Sequence, residues 1–369
     1  MGDGMPTYWD YLKLDQLLEL QDGLEADGDV AMPDELHFII VHQVYELWFK
    51  LALRSLRHGR DALLQPTVDE ETVPKVAHHL RRAAGIFRLG VVQFEVMESL
   101  QPQDFLAFRD KLTGSSGFQS FQMREIEILL GLEKEERVRY GKVDPLEHIQ
   151  RIGEDTPATR LARKRIETAT SEPTFRSAMQ QWLYRTPIQG STPEDEGDDA
   201  AVNAFIDDYL SCLDAHNRRG QEQLEATFGD RNKQEVDDRF RLILTQAREY
   251  LHAKDVDEED RAFRKRVRTA ILFIEAYRDL PLLSWPRLLL DVVVQLEQQI
   301  VLWRARHVRM VERLIGRRPG TGGSSGVDYL DRTGAYRVFK DLWATRTLML
   351  PRERLPELKH PDVYGYRGG

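Results

Sequence analysis

The chain has 369 residues, is 41% hydrophobic and 31% charged, and carries a formal net charge of −9, which argues against general nucleic-acid binding because phosphate contacts need a basic surface. Cys212 is the only cysteine, so intrachain disulfides, zinc–cysteine sites and iron–sulfur clusters are excluded. No apolar run approaches the roughly 18 residues of a membrane span and no signal peptide is evident, so we expect a soluble, cytoplasmic protein without membrane contact.

Helix-favouring residues dominate and alternation of the β type is nearly absent, so we predict an all-α chain. The predicted helices span residues 9–21, 34–64, 71–99, 103–112, 118–132, 146–150, 158–169, 173–184, 199–226, 232–253, 258–279, 285–316 and 334–346. Asp34 is the expected N-cap of the second helix. Residues 192–200 are acidic and predicted to form a surface loop. No linker divides the chain clearly, so residues 1–369 are predicted to form one all-helical unit.

The second predicted helix is apolar almost all round from Phe38 to Lys50, so we expect this part to be buried. Phe38, His42, Tyr45 and Phe49 share one face at helical spacing. A histidine among aromatic rings could bind a flat heteroaromatic ligand and exchange one proton with it. The alternative is a core histidine that is hydrogen-bonded to a glutamine or a backbone carbonyl.

A second candidate segment runs from Phe105 to Arg109 and leads into a Gly-Ser loop, Gly114–Gly117. Arg109 lies one helical turn after Phe105, in apolar company. An arginine in this setting could clamp a substrate carboxylate with two hydrogen bonds. The alternative is a surface arginine paired with a neighbouring aspartate.

The helix predicted at 285–316 carries an apolar stripe that includes one histidine. The stripe residues are alternately four and three positions apart: Leu289, Val293, Leu296, Ile300, Trp303, His307, Met310 and Leu314. A neutral imidazole on a buried face, near arginines and the glycine-rich loop Gly320–Gly326, would suit a metal or haem iron with anions nearby. The alternative is a hydrogen-bonded core histidine. The loop is not a Walker loop, because no Gly-Lys-Ser/Thr follows, but Thr321 could hold polar groups of a ligand.

These segments together resemble the tryptophan 2,3-dioxygenase family, over almost the whole chain. The resemblance is carried by residues 8–14, 38–50, 105–122, 182–187, 303–326 and 336–342. Its most specific motifs are His-Gln-x-Tyr-Glu-Leu-Trp-Phe-Lys, from His42, and Gly-Thr-Gly-Gly-Ser-Ser-Gly, from Gly320. The long middle region, with a helical insertion at about 133–285, resembles the longer, animal-type members.

The resemblance implies an all-helical homotetramer that binds haem b and opens the indole ring of L-tryptophan with dioxygen, giving N-formyl-L-kynurenine. His307 would be the proximal iron ligand, and His42 the distal histidine near the indole N–H. Arg109 would clamp the substrate carboxylate with help from Thr321, which with a haem propionate would hold the ammonium group. The other residues expected at the substrate are Phe38, Phe105, Tyr8, Tyr11, Leu12 and Ser116.

The N-terminal tyrosines and leucine would come from a neighbouring subunit, so that oligomerisation completes the site. A second tryptophan site of animal-type members is matched by Trp182, Arg185 and Thr186.

Three departures from the family pattern concern substrate identity more than haem chemistry. Trp9-Asp10 stands where the family usually has Gly-Gly or Gly-Asn, and Leu36-His37 replaces the usual His-Leu or Met-Leu pair. Phe105 replaces a tyrosine of some bacterial members but matches the animal type. Two alternatives therefore stay open: a haem monooxygenase that gives an oxindole-type product from tryptophan or a substituted tryptophan, and a non-catalytic haem sensor.

Overall fold

The protein is described from a computed structural model, which covers residues 5–23, 32–139, 144–151, 155–229, 233–321 and 326–365. Within these residues the regular secondary structure is helical, and the only β-type pairing is an isolated bridge between Ile188 and Ser191. The prediction of an all-α chain is confirmed. None of the described helices is both long enough and apolar enough to cross a membrane.

Sixteen α-helices are described. They are α1 (Tyr8–Leu12), α2 (Leu14–Leu17), α3 (Pro33–Leu63), α4 (Thr72–Met97), α5 (Pro102–Phe108), α6 (Phe121–Leu130), α7 (Pro145–Arg151), α8 (Pro157–Ser171), α9 (Phe175–Tyr184), α10 (Asp198–Phe228), α11 (Lys233–Leu251), α12 (Glu258–Ala276), α13 (Ser284–Ile315), α14 (Val327–Thr333), α15 (Lys340–Thr347) and α16 (Pro361–Tyr364). Short 3₁₀ turns occupy Arg109–Leu112, Gly117–Gln119, Pro281–Leu283 and Arg352–Arg354.

Most of the predicted helices are confirmed within a few residues, and the differences have local causes. The helix predicted at 9–21 is two short helices, because Lys13 adopts a left-handed conformation with φ 51°. The helix predicted at 334–346 begins only at Lys340, because the Val338 and Phe339 amides donate to the Glu297 carboxylate instead of to a preceding turn. Helices α14 and α16 were not predicted.

One finer prediction at a helix end is wrong, and one boundary is shifted. Asp34 is not an N-cap, because α3 already begins at Pro33. Proline suits a first helical position, where its missing N–H would have no partner, and Asp34 instead places negative charge in the first turn. The acidic loop is shorter than predicted, since α10 begins at Asp198. Before it, Thr192 forms a turn by donating its N–H to the Asp195 carboxylate over 2.7 Å.

The segment Phe38–Lys50 was predicted to be buried, and only some of its apolar side chains are buried. Val41, Tyr45 and Phe49 are buried, whereas Ile40 and Leu47 are exposed in the single chain. The stripe on α13 is confirmed, because its seven apolar members are all buried.

Contacts divide the chain into two compact units. The first contains Met1–Ser55, Arg82–Glu172 and Gln298–Tyr336, and the second contains Leu56–Arg81, Pro173–Glu297 and Arg337–Gly369. The expectation of one domain with an insertion at about 133–285 stays a prediction. The first unit has an aromatic core in which Trp303 meets rings from α3 and α4: Tyr45, Phe49, Phe87 and Phe94.

The second unit is organised around buried aromatic rings and one buried arginine. Phe273 packs against Phe205, Tyr277 and Tyr364, with ring centroids 4.8–5.3 Å apart. Arg266 donates to both Asp198 oxygens over 2.6–2.7 Å and to backbone carbonyls, including that of Tyr184. Because these acceptors satisfy the buried guanidinium of Arg266, we assign Arg266 a structural role in this unit.

Candidate functional site

A cavity of about 510 Å³ lies in the first unit. Its walls come from α3, α4, α6, α13 and α14, from the segment at 105–120, and from Gly320, Thr321 and Gly326. It brings together the residues predicted to act at a ligand. Those that line it are Phe38, His42, Phe105, Arg109, Ser116, His307 and Thr321. A largely apolar cavity with a few polar groups is the usual form of a small-molecule site.

His42 is presented to the cavity by α3 in a defined tautomer. Its Nδ1 lies 2.7 Å from the carbonyl oxygen of Phe38, one turn earlier. A carbonyl can only accept, so Nδ1 carries the proton and Nε2 keeps its lone pair. The ring borders the cavity, yet enough protein surrounds it that burial lowers the pKa of His42, against smaller raising effects of Phe38 and Glu46. His42 is therefore a neutral hydrogen-bond acceptor at neutral pH.

The alternative for His42 was a core histidine that is hydrogen-bonded to a carbonyl. The hydrogen bond of Nδ1 fits this alternative, but Nε2 has no such partner among the described residues. The other side of the residue belongs to an aromatic wall. Phe38 lies 4.1 Å from the His42 ring centroid, and it also contacts Phe105 at 5.8 Å and Phe108 at 5.7 Å. These flat apolar surfaces suit an aromatic ligand beside a single acceptor.

His307 lies on α13 and packs against two aromatic rings that also contact each other. Its imidazole stacks on Phe94 at a centroid distance of 5.6 Å and on Trp303 at 5.4 Å, with interplanar angles of 14° and 25°. Burial lowers the pKa of His307 to about 4, with smaller electrostatic contributions from His42, Arg304 and Arg124. A neutral imidazole on a cavity wall is the form in which histidine ligates a metal.

Gly90 makes the position of Trp303 possible, which sequence reasoning missed. A Cβ added to Gly90 would lie 2.9 Å from Trp303 Cδ1 and 3.2 Å from Tyr45 Cε1. Tyr45 fixes the same turn by donating its hydroxyl to the Gly90 carbonyl over 2.6 Å. The only local signal would have been a glycine inside an otherwise regular helix pattern.

Arg109 ends α5 and begins the following 3₁₀ turn. Its Nη2 donates to the carbonyl of Pro319 rather than to Asp104 or Asp110, so the alternative of a surface ion pair is not what the structure shows. Its Nε is buried and has no hydrogen-bond partner among the described residues. A buried guanidinium N–H without a partner is costly, and an acceptor supplied by a ligand would remove that cost.

Two loops that line the cavity contact each other through their backbones. The amide of Gly114 donates to the Thr321 carbonyl over 3.3 Å, and the Thr321 hydroxyl donates to the Ser115 carbonyl. The hydroxyl has one proton, so a ligand would meet Thr321 as an acceptor. The rest of the predicted glycine-rich loop, Gly322–Ser325, lies outside the described residues.

Two further arginines line the cavity, Arg124 on α6 and Arg304 on α13. Arg124 Nη1 lies 2.7 Å from Glu127, and Arg304 pairs with the other oxygen of the same carboxylate. Among the described cavity-lining residues, Arg109, Arg124 and Arg304 are cationic and Glu46 is the one carboxylate. The wall therefore carries excess positive charge and suits a ligand with carboxylate groups.

The N-terminal residues predicted at the site do not line this cavity within one chain. Tyr8 and Tyr11 are 71% and 79% exposed, and Leu12 is also exposed. The segment is tied to α3 beside His42, since Gln43 donates to the Leu20 carbonyl over 2.7 Å and accepts from Gln21 over 2.8 Å. A role for these residues in a neighbouring subunit stays a prediction.

The predicted second tryptophan site lies in the second unit. Trp182 is half-buried at the end of α9, and Thr186 is buried with its carbonyl bonded to Arg266. Arg185 donates to the carbonyls of Leu63, Gln65 and Pro66. Its donors are thus already committed to backbone, and the second site stays a prediction.

Comparisons with known proteins agree with this geometry. The family model described as tryptophan 2,3-dioxygenase matches residues 1–349. The chain is 42% identical to a "Tryptophan 2,3-dioxygenase" of Sorangium cellulosum, over 98% of this chain and 87% of the relative. It is 41% identical to a "Tryptophan 2,3-dioxygenase 2" of Ralstonia nicotianae, over 98% and 97%.

A shorter relative shows that lengths differ among these proteins. A "Tryptophan 2,3-dioxygenase-like protein" of Xanthomonas campestris is 40% identical over 72% of this chain and 97% of its own length. The longer form predicted from the middle region is thus shared with the Sorangium and Ralstonia proteins, which are bacterial. The names of these relatives favour neither the monooxygenase nor the sensor alternative.

Proposed function

The chain belongs to the tryptophan 2,3-dioxygenase family, and on that premise we propose that the protein opens the indole ring of L-tryptophan with dioxygen, giving N-formyl-L-kynurenine. This makes it an oxidoreductase acting on tryptophan. One observation carries the proposal at the level of residues. A single cavity is lined by a neutral histidine on α13, a second histidine with a free acceptor nitrogen, and an arginine with an unpartnered buried N–H.

Haem b is the proposed cofactor, and the residues present fit it. His307, packed against Phe94 and Trp303, would hold the iron, and the apolar walls would accept a flat macrocycle. Three arginines against Glu46 give the wall the positive charge needed to accommodate two propionates. When bound, the haem iron supplies the binding and activation of dioxygen.

Arg109 and Thr321 are proposed to hold the amino-acid end of the substrate. A carboxylate would accept from the buried Nε of Arg109, which the protein itself leaves without a partner. Thr321 donates to the Ser115 carbonyl, so its remaining lone pairs would accept from the ammonium group, with a propionate as the second acceptor. In this proposal Arg109 binds the carboxylate of the substrate, and Thr321 binds its ammonium group.

His42 is proposed to orient the indole ring. Its Nε2 would accept the indole N–H, since Nδ1 is committed to the Phe38 carbonyl. Indole N–H is a very weak acid, so orientation rather than full proton removal is the role expected of His42. Phe38 and Phe105 would hold the faces of the ring and keep water out, while Ser116 borders the cavity. Fixing both ends of the substrate restricts its approach to the oxygen-binding position.

A homotetramer is proposed, in which the N-terminal segment of one chain completes the cavity of another. Tyr11 cannot serve its own cavity in this conformation, and its ring is largely exposed. Helix α4 also exposes Leu89, Val92 and Val96, which lie on one face at helical spacing. Contiguous exposed apolar groups of this kind mark protein interfaces. A cytoplasmic location and the second tryptophan site at Trp182 remain part of the same proposal.

The test is mass spectrometry of the product formed by ferrous, haem-loaded protein from L-tryptophan and ¹⁸O-labelled dioxygen. Two labelled oxygen atoms in a ring-opened product are expected. One labelled atom in an oxindole-type product would replace the proposal by a monooxygenase. Haem binding with tryptophan-independent spectra and no product would favour the sensor.

A further inference from the structure

The two arginines that line the cavity with His307, besides Arg109, belong to a buried charge cluster. It consists of Arg124 and Glu127 on α6 and Arg304 on α13, and we call it the proximal triad. Arg304 precedes His307 by three residues, so the two side chains leave the same helix one turn apart. All members of the triad are at least nine-tenths buried.

The two arginines share one carboxylate and are incompletely satisfied. Arg124 and Arg304 each contact a different oxygen of Glu127, and the Arg304 guanidinium also lies 4.8 Å from the centre of the Tyr336 ring. The Nε atoms of both arginines are buried without a hydrogen-bond partner among the described residues. Charges in such a position normally destabilise a fold, so their presence calls for a reason other than stability.

The charges are arranged asymmetrically about the cavity. Arg124 and Arg304 line it, whereas Glu127 does not. Asp144, a buried carboxylate whose charge acts on Arg124, does not line the cavity either. The carboxylate that does, Glu46, lies one turn after His42 on α3 and is bonded to Gln122. The arginines that act electrostatically on His307, Arg304 and Arg124, therefore line the cavity beside it, whereas their carboxylate partners do not.

We infer that Arg124 and Arg304 tune the reduction potential of iron held at His307, stabilising the ferrous state relative to the ferric state. The inference rests on the proposed haem site. Reduction adds one electron from an external one-electron donor and lowers the charge on iron by one. A fixed positive charge in a buried site disfavours the more positive ferric state, and burial reduces screening of that effect. Arg124 and Arg304 thus act through the field at His307 and are positioning residues rather than catalytic ones.

The experiment is spectroelectrochemical titration of the haem-loaded, full-length protein. Arg304→Gln removes a positive charge, and Glu127→Gln removes the negative charge behind it, so the two variants should shift the midpoint potential in opposite directions. At a fixed ambient potential we expect Arg304→Gln to raise the ferric-to-ferrous ratio about tenfold, equivalent to about 59 mV for one electron, and Glu127→Gln to lower it.

Two further variants separate charge from structure. Arg304→Lys keeps the charge and should retain most of the wild-type potential. Arg309→Gln makes the same charge change on the same helix, two residues after His307, but Arg309 is exposed and pairs with Glu312 and Asp331. Solvent screening should leave its potential unchanged.

The outcomes are distinct. Opposite shifts for the triad variants and none for Arg309→Gln support the inference. If Arg304→Gln still binds haem through His307 and its midpoint potential is unchanged, the inference is overturned but the proposed function stands. Weaker haem binding without a shift in potential has the same meaning. If Arg304→Gln does not fold, the test rests on Glu127→Gln. A midpoint potential of Glu127→Gln that is unchanged or lower than that of the wild type refutes the inference. Failure of the wild-type protein to bind haem would instead defeat the proposed function.

Discussion

Gly90 and Trp303 are in such close contact that no side chain fits between them. A Cβ at position 90 would stand 2.9 Å from the indole ring that stacks on His307. The shape of the site thus depends on a helical glycine with no chemistry of its own.

Gly90→Ala is expected to destabilise the protein by about 1–3 kcal/mol, because overpacking outweighs the better helix propensity of alanine. The displaced Trp303 should also broaden the haem spectrum. Gly85→Ala is the matched control, since it lies on the same helix with open space around its Cβ position. It should stabilise by about 0.5–1 kcal/mol, and chemical denaturation of both variants measures the contrast. Equal effects of the two substitutions would contradict the packing argument.

His307→Ala and His42→Ala should separate the two histidines. The first should abolish stoichiometric haem binding, because it removes the proposed iron ligand. The second should retain haem and lower kcat/KM about tenfold, the effect of one lost hydrogen bond. Haem content by absorbance and steady-state kinetics measure both. Haem loss in His42→Ala, or complete inactivity at saturating tryptophan, would argue against the orienting role.

Arg109→Leu tests the carboxylate clamp. Loss of a charge-assisted hydrogen bond of about 1.5–3 kcal/mol should weaken tryptophan binding roughly 10- to 150-fold. Tryptamine, which lacks the carboxylate, should bind equally to both proteins. Arg313→Leu, an exposed position outside the cavity lining, serves as the control. Unchanged affinity for tryptophan in Arg109→Leu would remove the clamp from the mechanism.

The haem-free protein should lose stability through His307 as the pH falls. Its pKa is near 4 in the folded chain, below its ordinary value of 6.5, so between these values the unfolded state binds the proton and the folded state does not. Stability from this group is complete above pH 6.5 and declines towards pH 4. The difference in urea midpoint between wild type and His307→Gln should therefore change across this window. A constant difference would show that His307 titrates normally.

Tyr11→Ala tests completion of the site by a neighbouring chain. Tyr11 is exposed in the single chain, so the monomer fold should be unaffected within about 0.5 kcal/mol. If Tyr11 lines the indole pocket of a partner, kcat/KM should fall roughly tenfold, the worth of one buried aromatic contact. Leu18→Ala, also exposed in the same segment, should leave kinetics unchanged. Light scattering would verify that both variants keep the wild-type assembly.

Much of the fold and part of the site could be predicted because their signals are local. The stripe on α13 follows from 3.6-residue periodicity, and it correctly placed His307 on a cavity wall. The Phe38–His42 pairing on α3 follows from the same spacing. Helix ends were less predictable: the break at Lys13 and the late start of α15 depend on a left-handed residue and on a distant carboxylate, Glu297.

By itself, the sequence determined that the chain is helical, which faces are apolar, and that His42, Arg109, His307 and Thr321 are the polar groups to examine. Only the tertiary structure decided how they work together. It selected the tautomer of His42, left Arg109 Nε without a partner among the described residues, and paired Arg124 and Arg304 with Glu127 at the cavity that His307 lines. The physical reason is range: helix formation depends on neighbours a few residues apart, whereas protonation, desolvation and buried charge depend on groups that only folding brings together.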